Sequence, residues 1–302
     1  MLAGRARFAA LVDRLVVPVV AAPMFGVSGP ELVIAACKAG VVGAFPTANA
    51  PSSAELDDWL TCIRHETAGA APWAANLIVH RSNPRLASDL AAVCSHRPPI
   101  VITSVGSPAA VAGAIHEAGG LLLADVATVA QARKALAAGA DGLVLLCAGA
   151  GGQTGWANPF AFVRAVRGWF DGPVVVAGGI ADGWAVHAAT VLGADLAYVG
   201  TRVLATTESR ASEAWKEHVA AAELDEVVLT TAITGLPTNV LAGSFEEAAL
   251  RATVDERAPS PEPGRAVRAH VAGHGVSTIT DVVPVAKVVL RLADEFAVTR
   301  AR

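Results

Sequence analysis

The residues best suited to chemistry sit in one loop, Cys147-Ala148-Gly149-Ala150-Gly151-Gly152-Gln153-Thr154-Gly155. Four glycines in the seven residues from Gly149 to Gly155 let a backbone approach a ligand with no Cβ in the way. Gln153 is the one long polar side chain of the loop. Its amide does not titrate, so it can hydrogen-bond an oxygen but cannot take a proton as a general base. Two further turns, Ala177-Gly178-Gly179-Ile180 and Gly200-Thr201, can aim backbone N–H groups at a phosphate, with a helix N-terminus adding a favourable dipole. His274, in Gly273-His274-Gly275, is of the residue type that does acid–base work near neutrality, although its glycines also suit a plain surface turn. Asp125 and Asn76 stand at expected strand ends.

Elements that could hold these loops recur along the chain. The glycine loop follows the apolar run Gly142–Leu146, a buried strand, and precedes Asn158-Pro159, which opens a helix. Comparable strand–turn–helix units run from Leu15 to Thr201, with the final strands at Pro173–Ala177 and Leu196–Val199. Ser28 is the candidate cap of a helix over Pro30–Ala39, and Asp182 of one over Gly183–Leu192. About eight such units in ~200 residues predict a (β/α)8 TIM barrel, with a doubly wound sheet as the alternative. The Gly-Gly and Gly-Thr turns then follow strands seven and eight, where barrels place phosphate. After Thr206 the rhythm changes. Residues 207–276 read as a small, mostly helical cap, with helices over Ser209–Leu224 and Glu246–Val254 and a Pro-rich link at Ala258–Gly264. The barrel is assigned 1–206 and 277–302, its last helix packing back on it.

Composition narrows the function classes. A net charge of −4 without a basic block argues against nucleic acid and anionic membrane. Hydrophobic residues make up 53%, but no run of ~18 lacks a charge or breaker, so no membrane span is expected. Cys37, Cys62 and Cys94 read as small buried hydrophobes, and Cys147 sits at a strand end. Neither the cysteines nor the scattered His65, His80, His96, His116, His187 and His218 have metal-ligand spacing. The amino terminus lacks a long apolar segment, which points to a cytoplasmic location. His80 and Arg81, after the third strand, read as solvated loop charges.

The ordered loops resemble the nitronate monooxygenase (2-nitropropane dioxygenase-like) family, FMN enzymes on a TIM barrel. The resemblance lies in Ala22-Pro23-Met24-Phe25-Gly26-Val27-Ser28, Asp125–Ala132, Ala148–Gly155, Ala177–Ile180, Gly193–Arg202, the Thr234-Gly235 turn and Ala272–Gly275. It spans nearly the whole chain. It implies FMN at the barrel mouth, with Ala22, Pro23 and Met24 along the isoalloxazine ring and Asn76 bonded to the ring or ribityl chain. Gly151 and Gly152 would face the cofactor, and Asp125 would reach the ribityl hydroxyls. Ala177, Gly178, Gly179, Gly200 and Thr201 would surround the phosphate. As plain structure, Asn76 is equally a strand-end cap and Thr201 a helix N-cap.

One departure bears on the reaction. Where active members carry a histidine beside the flavin, this chain has Gln153. A neutral nitroalkane needs a base for its α-proton, whereas a pre-formed nitronate does not. The expected activity is therefore oxidation of an alkyl nitronate or similar carbanion-like small molecule with O2, with His274 as a candidate replacement base. The alternative is an FMN- and NAD(P)H-dependent reductase or dehydrogenase acting on an enone or enoyl thioester, since enoyl-reductase flavoproteins share the barrel. A flavin-binding protein without chemistry and a flavin-free phosphate-sugar barrel are further contrasts. A homodimer is compatible with either activity.

Overall fold

The computed structural model describes residues 2–233, 235–244 and 269–302. The expected helix over Glu246–Val254, the link at Ala258–Gly264 and Thr234 lie outside the described residues. Eight parallel strands close a barrel in the order β1 (Val19–Ala21), β2 (Val42–Pro46), β3 (Trp73–Ile78), β4 (Ile100–Ser104), β5 (Leu121–Val126), β6 (Gly142–Leu146), β8 (Val174–Ala177) and β9 (Leu196–Val199). Closure is made by β9 on β1, with Val20 opposite Tyr198. The intervening strand β7 (Gly152–Gln153) lies in the glycine loop, outside the barrel.

Strand alternation sorts each apolar run to two sides. Val144, Leu146, Val175 and Ala177 pack inside the barrel, while Leu143, Leu145, Val174 and Val176 pack under the surrounding helices. Both faces are covered, which is why the strands read as continuous apolar runs, and each large side chain so buried contributes about 1.5–3 kcal/mol. Phe8, from the helix Leu2–Val12, joins the interior cluster beside Leu121 and closes the amino-terminal end of the barrel. The carboxyl ends of the strands are left as the mouth.

Helix starts follow local chemistry. Asp182 accepts a hydrogen bond from Ala185 N at 2.8 Å, as expected for a cap. Ser28 does not cap its helix: Gly29 holds that position, and Ser28 is folded back into the preceding loop. The final helix, Val285–Arg300, packs Val285, Val288, Val289 and Leu292 against Leu32, Ala36 and Val186, so it does return to the barrel. The described part of 207–276 contributes one α-helix, Glu213–Ala221, a short 3-10 helix, Leu224–Glu226, and two antiparallel strands, β10 (Val227–Thr230) and β11 (Thr238–Leu241). β11 also pairs with β7, setting Thr238 opposite Gln153.

The cysteines divide differently from expectation. Cys62 is exposed on the outer face of the helix Ser53–Glu66, because only the stripe of Leu56, Leu60 and Ile63 turns inward. Cys147 is fully buried, and burial pushes its thiol up to about 12, which leaves it inert rather than nucleophilic. Among the described residues no helix is long and apolar enough to cross a membrane.

Candidate active site

The carboxyl ends of β1, β2 and β3 line one side of the mouth. The loop Ala22–Ser28 is tied into a knot: Met24 N donates to Ser28 Oγ at 3.0 Å, and Ser28 Oγ donates to Ala22 O at 3.3 Å. Asn49, after β2, clamps it from outside. Its Nδ2 donates to Met24 O at 2.9 Å and to Ser28 O at 2.8 Å, and its Oδ1 accepts from Gly26 N at 2.8 Å. Gly200 is so close that a Cβ there would stand 3.7 Å from Met24 Sδ and 3.8 Å from Ala22 Cβ. Asn76 is buried on β3, its Nδ2 donating to Ile102 O at 3.4 Å while Oδ1 accepts from Ser104 Oγ at 3.3 Å. Both bonds are long, so the amide keeps capacity for a stronger partner.

The other side of the mouth is built from glycine loops that share one acceptor. Gly149 O accepts from Gly179 N at 3.2 Å and from His274 N at 2.9 Å. Gly273 N donates to Thr201 Oγ1 at 2.9 Å. Thr201 therefore does not cap its short helix, whose N-cap is Gly200; its hydroxyl anchors the 272–275 turn instead. Gly178 and Gly179 have φ of 132° and 69°, a run of left-handed backbone that a side chain would strain, and no atom lies within 4 Å of a Cβ placed on Gly179. The loops after β6, β8 and β9 and the Ala272–Gly275 turn thus form one continuous cradle. Arg202, buried behind it, donates to Asp281 O at 3.0 Å and to Asp281 Oδ1 at 3.1 Å, and so fixes the helix that begins at Thr201.

Each side chain singled out from the sequence has a definite place. The His274 ring lies over Gly149, where a Cβ would meet its Cγ and Nδ1 at 2.8 Å. Gln153 is exposed on β7. Asp125 points into the barrel with Leu121 and Leu123, and burial raises its carboxyl to about 7. His80 and Arg81 are exposed, with His80 Nδ1 2.6 Å from Ser82 Oγ, so they belong to the solvated loop. Among the described residues no group of three or more His, Cys, Asp or Glu could hold a metal.

Asn49 carries no sequence signal of function, and Tyr198 only a slight one. Asn49 becomes visible only once its loop lies across the β1 loop. Tyr198 is the chain's sole tyrosine, set in an otherwise apolar strand, and that singularity is the one available clue. Asn49→Ala removes three hydrogen bonds and is expected to cost about 1–3 kcal/mol, read as a lower denaturation midpoint at unchanged m-value.

This arrangement has counterparts among known proteins. The nitronate monooxygenase family model matches residues 85–293. A nitronate monooxygenase of Paraburkholderia phytofirmans is 30% identical over 287 residues, covering 81% of this chain and 77% of that protein. A hydroxy-methyl-oxo-octahydroindene-carboxyl-CoA dehydrogenase of Mycobacterium tuberculosis is 30% identical over 228 residues, covering 74% of this chain and 62% of that protein. The structure of a nitroalkane oxidase from Streptomyces ansochromogenes superposes with a TM-score of 0.85 at 27% identity, covering 97% of this chain and 99% of that one. With a family match over most of its length, the closed barrel and the glycine cradle at the expected strand ends, the chain belongs to the nitronate monooxygenase family of oxidoreductases.

Proposed function

We propose that this chain is an FMN-dependent oxidoreductase that oxidises an alkyl nitronate or a similar carbanion-like small molecule with O2. The observation that carries this reading is the shared cradle: Gly149 O binds Gly179 N and His274 N, so the loops after β6 and β8 are one unit. Open glycine backbone at Gly179, beside the tightly packed Gly178 and with Gly200 and Thr201 adjoining through the same cradle, suits a phosphate. Ala22, Pro23 and Met24 would border the flavin ring, Asn76 would hydrogen-bond it, and Gly151 and Gly152 would let it approach the β6 loop. Bound flavin supplies the redox chemistry, accepting electrons from the substrate and passing them to O2.

The protein's own part is to orient an anion. Gln153 can donate an amide N–H to a nitro oxygen and so hold the negative charge, without titrating. A nitronate arrives already deprotonated and asks no more of this position. His274 stacks on Gly149, whose carbonyl also accepts from Gly179 N, and this supports a place beside the phosphate cradle over a role as the missing base.

A second reading, reduction or dehydrogenation of an enone or enoyl thioester with NAD(P)H, is favoured by the relationship to the carboxyl-CoA dehydrogenase. One experiment separates the two. The purified protein is expected to be yellow, to bleach anaerobically on addition of propyl nitronate and to recolour with air. Bleaching by NADH or NADPH but not by nitronate would transfer the assignment to the second reading, and a colourless protein that takes up no FMN would end both.

A further inference from the structure

Two histidines far apart in the chain meet beside the cradle. His218 stands on the helix Glu213–Ala221, and His270 opens the segment that runs into the Ala272–Gly275 turn; their Nδ1 atoms lie 3.0 Å apart. Both residues are half-buried. The His270 ring also lies flat on Trp215, one turn earlier on the same helix, with ring centroids 5.6 Å apart and planes tilted by 9°. Trp215 Nε1 donates to Val271 O at 3.2 Å. From the other side, Leu241 N donates to His270 O at 2.8 Å and His270 N donates to Ser244 Oγ at 3.0 Å. The next amides along the chain belong to the cradle. Ala272 N donates to Asn239 O at 3.4 Å, Gly273 N to Thr201 Oγ1 at 2.9 Å and His274 N to Gly149 O at 2.9 Å. The imidazole pair and Trp215 therefore fix one end of the turn that joins the mouth loops.

An Nδ1–Nδ1 contact has a proton rule built into it. One ring must supply the hydrogen and the other the lone pair. The bond exists with both rings neutral, and one added proton makes it charge-assisted, because an imidazolium donates to a neutral ring. A second proton leaves two N–H donors and two positive charges in contact, with no acceptor between them. Among the described residues no free carboxylate faces the pair to offset that charge. On the helix, Glu213 is engaged by Lys216 at 2.9 Å, and Glu217 is exposed. Strand β11, the turn 242–244 and Val276–Thr278 carry no charged side chain. Glu223, beyond the helix, accepts from Ser277 Oγ at 2.8 Å. His274, the titratable group of the turn itself, lies over Gly149.

We propose that His218 and His270 form an acid-sensitive latch, closed while no more than one of the two rings is protonated and opened by the second proton, which frees the Ala272–Gly275 turn from the helix. The latch acts on the shape of the cradle and does not depend on which ligand the cradle takes. The sign of the pH effect agrees with it. Burial first, and then the neighbouring charge of His218, hold His270 below the ordinary histidine range. A histidine lowered in this way stabilises the fold above its unfolded-chain value of about 6.5, and that stabilisation is lost as pH falls from there through the folded value.

The test is hydrogen exchange of the full chain, read by mass spectrometry on the peptide covering 269–276 and corrected for the intrinsic pH dependence of exchange. Between about pH 7.5 and about pH 5 the protection of the Ala272, Gly273 and His274 amides is expected to drop by about tenfold or more, while the barrel strands β6 and β8 keep theirs. His218→Gln is the discriminating variant. Its amide accepts from a protonated His270 Nδ1 and donates to a neutral one, so the latch stays closed in both states and protection is expected to hold within about twofold. A wild-type turn with constant protection, an equal loss in the barrel strands, or the same loss in His218→Gln would overturn the proposal, the last of these assigning the effect to His274. Nitrogen NMR of the wild-type histidine rings keeps the test independent of the variant's folding. Above neutrality one ring of the pair is expected as the Nδ1–H tautomer and the other with a bare Nδ1; two Nε2–H tautomers would overturn the latch.

Discussion

A Gly273→Ala chain is expected to purify with little or no flavin. A Cβ at this position would sit 2.5 Å from Gly149 O and 2.7 Å from Gly151 N, both of them backbone, so neither can step aside as a side-chain tip would. The 272–275 turn must then lift from the glycine loop. Lifting it breaks the bonds from His274 N to Gly149 O and from Gly273 N to Thr201 Oγ1, which join the three mouth loops. Overpacking of this kind costs about 1–3 kcal/mol, or roughly five- to 150-fold in affinity if the cost falls on the bound state. FMN titration of the variant measures it directly. Gly113→Ala is the matched control, since a Cβ there meets nothing within 4 Å and the residue lies in a helix. Gly273→Ala with wild-type FMN affinity would show that the turn is not part of the cradle.

Gln153→His should have the second large effect, in the direction of gain. The position is exposed, and its backbone is held by the neighbouring segment Pro237–Asn239. Residues Gly152 and Gln153 pair with Asn239 and Thr238, and Thr154 N donates to Pro237 O at 3.0 Å. Thr154 Oγ1 lies 2.9 Å from Cys147 O, which closes the base of the loop. An imidazole can therefore be placed there without repacking the core. It would supply the base that glutamine lacks, and a positioned base is worth about 10²–10⁴-fold in proton transfer. The expected outcome is a gain of that order with a neutral nitroalkane, a rate that rises with pH as the imidazole deprotonates, and little change with the pre-formed nitronate. An equal change on both substrates, or none on the nitroalkane, would remove position 153 from the proton-transfer step.

Both predictions turn on the relation between local sequence and long-range contact. Strand runs such as Leu143–Leu146 and Val174–Ala177 announced themselves because burial on both faces demands unbroken apolar residues, and glycines such as Gly40, Gly139 and Gly193 mark where several helices stop. Counting those units was enough to reach the barrel and to place the Gly178-Gly179 and Gly200-Thr201 turns at the carboxyl ends of its last two strands. Gln153 was equally legible, because an amide differs from an imidazole wherever it is put. The strand β11 that pins it was not, since pairing across more than eighty residues leaves no local period to read.

The sequence by itself determined the barrel, the order of its mouth loops and the missing titratable side chain at position 153, because each depends on residue type or on short-range pattern. Only the tertiary structure decided which of those loops touch. It brought His274 onto Gly149, tied Gly273 to Thr201 and clamped the β1 loop with Asn49. It also left Asp125 Oδ1 and the Tyr198 hydroxyl facing the same interior without a partner among the described residues. Contacts of this kind are set by the closure of the sheet, which joins β9 to β1 and brings residues distant along the chain within hydrogen-bond reach.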